Sequence, residues 1–125
     1  MSDFRKNTRY QTLARAKIKG ACEGETLLKD LSVTGCCVEC TAYAGIEPKA
    51  QYKLEVIPES ASKIDGFELL VESRWMRTEN YSHEIGFVII ESPKGKQFQR
   101  YVDYLSWRNS QGNSMAGSQA SGIPL

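Results

Sequence analysis

The sequence is poor in the residues on which catalytic and metal-dependent functions rest. Its 125 residues hold one histidine, His83, which has no acidic or cysteine companions at metal-ligand spacing. General acid–base or nucleophilic chemistry needs a base within hydrogen-bond reach of its partner. No nucleophile motif accompanies His83, so the chain is not expected to be an enzyme. An excess of one charge is also missing: 16 Lys and Arg against 15 Asp and Glu leave a formal charge of +1. A chain so balanced exerts no general pull on nucleic acid polymers or anionic membranes, and any anion site must be local. The N-terminus has no apolar leader, and no stretch approaches the roughly 18 to 20 apolar residues of a membrane span. No DNA binding, no membrane insertion and a cytoplasmic location are the expectations.

Cysteine is present but badly placed for a framework. Cys22, Cys36, Cys37 and Cys40 make an even count, yet in an extended strand Cys36 and Cys40 face one side and Cys37 the other, which suits neither tetrahedral metal binding nor paired bridges. They are read as reduced packing residues that behave as small hydrophobes, with no metal and no cofactor expected.

Period-two alternation dominates what remains. Ala14, Ala16 and Ile18 alternate with Arg15, Lys17 and Lys19, giving one apolar and one basic face. Further blocks run from Thr26 to Leu31, Cys36 to Ala42, Tyr52 to Ile57, Leu69 to Arg77 and Glu84 to Ile90, divided by Gly-, Pro- or Asp-containing breaks. Six such strands predict a mainly β fold, an antiparallel β-barrel. Ser92 as N-cap and Pro93 at the first helical position open a segment with Phe98, Tyr101, Val102 and Leu105 at helical spacing, which predicts a helix over 94–108 against the barrel. The Ser-, Gly-, Gln- and Asn-rich stretch 109–125 is expected to be a disordered tail. One domain over 1–108 follows, with 1–11 as a flexible arm.

Two local motifs carry chemistry. Arg5-Lys6-Asn7-Thr8-Arg9 sets two guanidinium groups just ahead of the first strand, where they can stack on bases or fork onto phosphate and the guanine O6/N7 edge. Asp30-Leu31-Ser32-Val33-Thr34-Gly35 joins two strands: Asp30 can accept from a guanine N1/N2 edge or an arginine, Ser32 can donate or accept, and Gly35 permits positive φ and close backbone approach. Taken singly, the first is an ordinary solvated charge run and the second an ordinary turn.

In this order, about twenty residues apart, the two motifs resemble those of the PilZ family of bacterial cyclic di-GMP receptors. The resemblance covers roughly residues 4 to 105 and extends to the Val71-to-Trp75 strand, the Ile85-Gly86-Phe87 strand and the closing helix. It implies a six-stranded barrel on which Arg5 and Arg9 grip guanine and phosphate while Asp30, Ser32 and Gly35 line the opposite wall. Lys6 is a secondary candidate for a phosphate contact. Trp75 is read first as a core or rim residue, because Val71 and Ser73 share its face, and second as a stacking platform. The function implied is a second-messenger receptor whose arm orders on cyclic di-GMP and alters the surface shown to an unidentified effector protein, in motility, adhesion, exopolysaccharide or virulence control. Two other readings stay open: a single-stranded RNA binder using Arg15, Lys17 and Lys19, and an interaction adaptor with a vestigial pocket, using the helix that bears Tyr101, Tyr104 and Trp107.

Overall fold

A computed structural model describes residues 8–21, 25–41, 45–92 and 95–116. Among them run seven strands: β1 (Tyr10–Gln11), β2 (Arg15–Ile18), β3 (Thr26–Leu31), β4 (Gly35–Cys40), β5 (Gln51–Ile57), β6 (Phe67–Glu79) and β7 (Ser82–Glu91). A helix, α1, spans Gln97–Ala116. All strand pairs are antiparallel, in the order β1-β3-β2-β5-β6-β7-β4, and β4 pairs back onto β3. That last pairing closes a six-stranded barrel. β1 adds to β3 as an extra strand.

The alternation read from the sequence accounts for the interior. Ala16 and Ile18 of β2, Leu28 and Leu31 of β3, Cys36, Val38 and Cys40 of β4, Leu54 and Val56 of β5, and Ile85 and Phe87 of β7 all point inward and are buried. Cys36 and Cys40 thus share the inner face while Cys37 lies on the other side of β4, as the spacing predicts. Cys22 lies outside the described residues.

The first strands bound differ from expectation at two places. Tyr10 and Gln11 are not arm but strand, in register with Leu31 and Asp30. Helix α1 begins at Gln97 rather than at 94, after Gly95 at φ 96°, and it continues past Arg108 to Ala116. Once a helix has a docked nucleus, adding residues costs little, so the polar stretch after Arg108 continues the coil. Residues 117–125 lie outside those described. No described helix is long and apolar enough to cross a membrane.

Helix α1 packs through Phe98, Tyr101, Val102 and Leu105, one stripe at i, i+3, i+4 and i+7 spacing. Phe67 meets Phe98 and Tyr101 at ring-centroid distances of 5.8 and 6.0 Å. The fully buried Tyr101 donates its hydroxyl to Glu59 Oε1 at 2.6 Å, and Arg108 donates to Glu59 Oε2 at 2.8 Å and to the Gln11 carbonyl at 2.6 Å. One carboxylate therefore ties the helix to the barrel, and Arg108 extends the tie to β1. Burial and the adjacent carboxylate raise the Tyr101 phenol well above its ordinary pKa, so it stays a donor. Glu59→Ala removes the acceptor of both groups and is expected to lower unfolding free energy by about 1–3 kcal/mol. Urea denaturation followed by circular dichroism measures it; a change of under about 0.5 kcal/mol would remove Glu59 from this role.

Candidate functional site

The β3–β4 hairpin supplies the acidic wall. Its turn is closed by Ser32 N–H donating to the Gly35 carbonyl at 2.8 Å, while Thr34 N–H and Gly35 N–H donate to Ser32 Oγ at 3.2 and 3.1 Å. Ser32 is 1 % exposed, so it enters the site by shaping the turn, with its hydroxyl turned into the backbone. Gly35 is not at positive φ. It is needed because a Cβ there would lie 2.7 Å from the Phe87 carbonyl oxygen and 3.3 Å from an Arg9 nitrogen, so any side chain would push β4 off β7 and Arg9 off the turn.

Asp30 reaches the outer surface through a break in alternation. Leu28 pairs with Val38, but Asp30 rather than Lys29 pairs with Cys37, so the strand carries one extra residue at this point. Strict alternation from the buried Leu28 would turn Asp30 into the core and Leu31 out. The bulge instead buries Leu31 completely and sends Asp30 outward beside Lys29.

Strand β1 brings the arginine arm to that wall. Because Tyr10 pairs with Leu31 on an antiparallel neighbour, the residue before it runs alongside the Ser32–Gly35 turn. Arg9 there donates from Nη1 to Asp30 Oδ1 at 2.7 Å, with the two side chains 51 % and 29 % exposed. An exposed pair of this kind adds little to stability, roughly 0–1 kcal/mol. Its consequence is positional: the guanidinium is held beside Gly35 with donors left over. The structure thus joins Arg9, Asp30 and Gly35 at one place. Arg5 and Lys6 lie outside the described residues.

A second bulge adds a residue that alternation misplaces. Ser73 pairs with Phe87 but Trp75 pairs with Gly86, so Arg74 is the extra residue in β6. The sequence pattern put Trp75 on the inner face with Val71 and Ser73; the bulge reverses it, and Trp75 stands outside the barrel, 49 % exposed. Its indole lies across Gly86, where a Cβ would come within 2.2 Å of the ring. No periodicity signals this position; the glycine opposite is the one hint.

Along the register Asp30 pairs with Cys37, Cys37 with Gly86, and Gly86 with Trp75. The outer face therefore carries one row across β3, β4, β7 and β6, with the Arg9–Asp30 pair at one end and an indole at the other. Between them the floor is low, a thiol and a bare Cα. Burial, reinforced by the carboxylates of Asp30 and Glu84, pushes the Cys37 thiol up to about 11, and Lys29 and Arg9 oppose the shift only in part. A neutral floor with cationic donors at one end and an aromatic face at the other matches a planar, hydrogen-bonding, anionic ligand.

No protein-family model and no curated protein matches the chain. Among solved structures, the fold is similar to that of Bacillus subtilis Inhibitor of motility (MotI/DgrA), with a TM-score of 0.71 at 16 % identity. The match covers 86 % of this chain and 51 % of that one, so this chain spans about half of that protein's length. At such identity the likeness concerns architecture, and that architecture, a closed six-stranded barrel with one added strand and a C-terminal helix, is PilZ-like.

Proposed function

We propose that the protein is a cyclic di-GMP receptor that binds on the Asp30–Trp75 row and signals to a protein partner through its N-terminal arm. The observation that carries the reading is the Arg9–Asp30 ion pair against the Gly35 turn, because it joins the two motifs whose combination suggested the ligand. Arg9, and with it Arg5, would grip guanine and phosphate. Asp30 would hold the guanidinium or accept from the guanine edge, and Trp75 would stack on a base. Bacillus subtilis MotI/DgrA, an inhibitor of motility, makes motility one process such a receptor could serve.

Magnitudes agree with a dinucleotide as ligand. Ordering five free arm residues costs on the order of 5–10 kcal/mol, and the contact already made by Arg9 lowers that cost. Charge-assisted hydrogen bonds at about 1.5–3 kcal/mol each and stacking at about 1–3 kcal/mol per base leave room for roughly micromolar binding. A lone phosphate would not. We read the ligand as bound rather than turned over; the Cys37 thiol in the floor, pushed up to about 11, offers no thiolate nucleophile at neutral pH.

Two features weigh on the other readings. The basic face of β2 is partly neutralised, with Lys17 in register with Glu55 and Lys19 paired with Glu68, which leaves little for an RNA backbone. In α1, Tyr101 is buried against the barrel and cannot serve an adaptor surface, whereas Trp107 is 58 % exposed at the end of a Tyr101–Tyr104–Trp107 ladder. That indole favours α1 as the face a partner touches, with Arg108 linking it to the root of the arm.

Arg9→Ala and Arg5→Ala are each expected to weaken cyclic di-GMP binding by at least about a hundredfold in calorimetry, with the thermal midpoint unchanged. Wild-type-like affinity in either variant would defeat the arm's role. Trp75→Leu is expected to cost about 5- to 100-fold in affinity. In a Trp107→Phe background, the fluorescence of Trp75 is expected to respond to the nucleotide; an unresponsive indole and unaltered affinity would return Trp75 to a purely structural place.

A further inference from the structure

The same bulge that turns Asp30 outward also sets Lys29 beside it, both opposite Cys37. Lys29 Nζ donates to Glu84 Oε2 at 2.5 Å, and Arg77 donates to the other oxygen, Oε1, of that carboxylate. Glu84 is mostly covered, with its side chain 16 % exposed, whereas Lys29 and Arg77 are 44 % and 63 % exposed. Two cations therefore share one anion. Glu39, in register with Glu84, and Glu79 lie close enough to act on Lys29 and Arg77 as well, so the cluster carries no positive excess and Lys29 stands among carboxylates in the empty protein.

We infer that Lys29 is a second phosphate ligand of this site, parked on Glu84 in the empty protein and transferred to the dinucleotide when it binds. The inference rests on the cyclic di-GMP reading and names a contact outside both motifs. Three physical points support it. Glu84 does not become an orphan when Lys29 leaves, because Arg77 remains on its other oxygen. The Lys29 end of its pair with Glu84 is open to solvent, so the ammonium is rehydrated as it leaves, which keeps the cost of opening modest. The ammonium sits on a flexible four-carbon stem, a compact charge that follows a phosphate wherever the ring places it, whereas Arg77 is bound by the geometry of its planar fork. The position of Lys29 supports the same conclusion: Cys37 Sγ feels Lys29 and Glu84 as well as Arg9 and Asp30, so both ion pairs border the same patch of floor. A ligand carrying two phosphates gains from a cation on each side of it, and Arg9 approaches from the β1 side.

The test is calorimetric titration of cyclic di-GMP into the full chain carrying Lys29→Met, Glu84→Gln or both, at low and high salt. Lys29→Met keeps the aliphatic stem and removes the charge. It is expected to weaken binding about tenfold and to flatten the salt dependence. Glu84→Gln loosens the hold on Lys29 and is expected to tighten binding about threefold. The double variant is expected to match Lys29→Met alone, because the gain runs through Lys29. Lys29→Met binding within about twofold of wild type, or a Glu84→Gln gain that survives without Lys29, would overturn the inference. If wild type binds and Arg9→Ala does not, such a result removes Lys29 only. If wild type itself gives no heat with the nucleotide, the receptor reading fails and takes this inference with it.

Discussion

Two one-residue insertions in otherwise regular strands create the surface on which every functional statement about this barrel depends. Each lies in a strand that flanks the β4–β7 pair, at Lys29 in β3 and at Arg74 in β6. Each reverses the side to which the next residue points, sending Asp30 and Trp75 out of the barrel and onto one row. Were these strands to keep every residue in strict alternation, with no bulge, an acid or an indole would enter a core already filled by Leu28, Leu31, Val38, Ile85 and Phe87. Close-packed interiors do not absorb such groups. The core and the site are thus two outcomes of one register, in which inward positions stay aliphatic and the bulges release polar and aromatic side chains to solvent.

The barrel also explains why so small a chain can hold a strap in place. Closure of β4 on β3 completes the barrel, but β2 meets β3 only at Leu27, so the end of β3 at Asp30 and Leu31 keeps an edge on which β1 adds as a short strand. Its hydrogen bonds to β3 and the Arg108 contact with the Gln11 carbonyl fix the root of the arm from two sides. Arg9, next along the chain, is held on Asp30. A ligand competing for or bridging that pair would act on β1, and through Arg108 on Glu59 and α1. A binding event on the row and the exposed Trp107 on the helix are in this way joined by named contacts.

Much of the architecture was legible in the residues because half-buried strands must alternate. Thr26–Leu31 emerges at the bounds the pattern gives, and the Phe98, Tyr101, Val102, Leu105 stripe lies on the barrel as its spacing requires. What alternation cannot convey is a break in its own phase. Trp75 reads as inward from Val71 and Ser73, and only the register against Gly86 reverses it. Strand β1 escaped notice because two residues carry no period, and the helix outran its apolar stripe because propagation needs no further anchors. Within the site, Arg9, Asp30 and Gly35 were recognisable as types in a spacing, while the task of Ser32 in the turn and the reason for Gly35, a carbonyl rather than a φ angle, belong to packing. The Lys29–Glu84–Arg77 cluster had no signature at all, since its members are scattered over three strands.

On the proposed reading one outer row, and no other face of the barrel, receives the dinucleotide. Nuclear magnetic resonance of the isotope-labelled protein tests it most directly, by following each amide as cyclic di-GMP is added. The amides of Asp30, Gly35, Cys37 and Gly86 and the Trp75 indole N–H are expected to move together and saturate on one binding curve, while those of Lys17, Lys53 and Glu55 stay still. Shifts centred on the β2–β5 face, or a spectrum indifferent to the nucleotide, would contradict it.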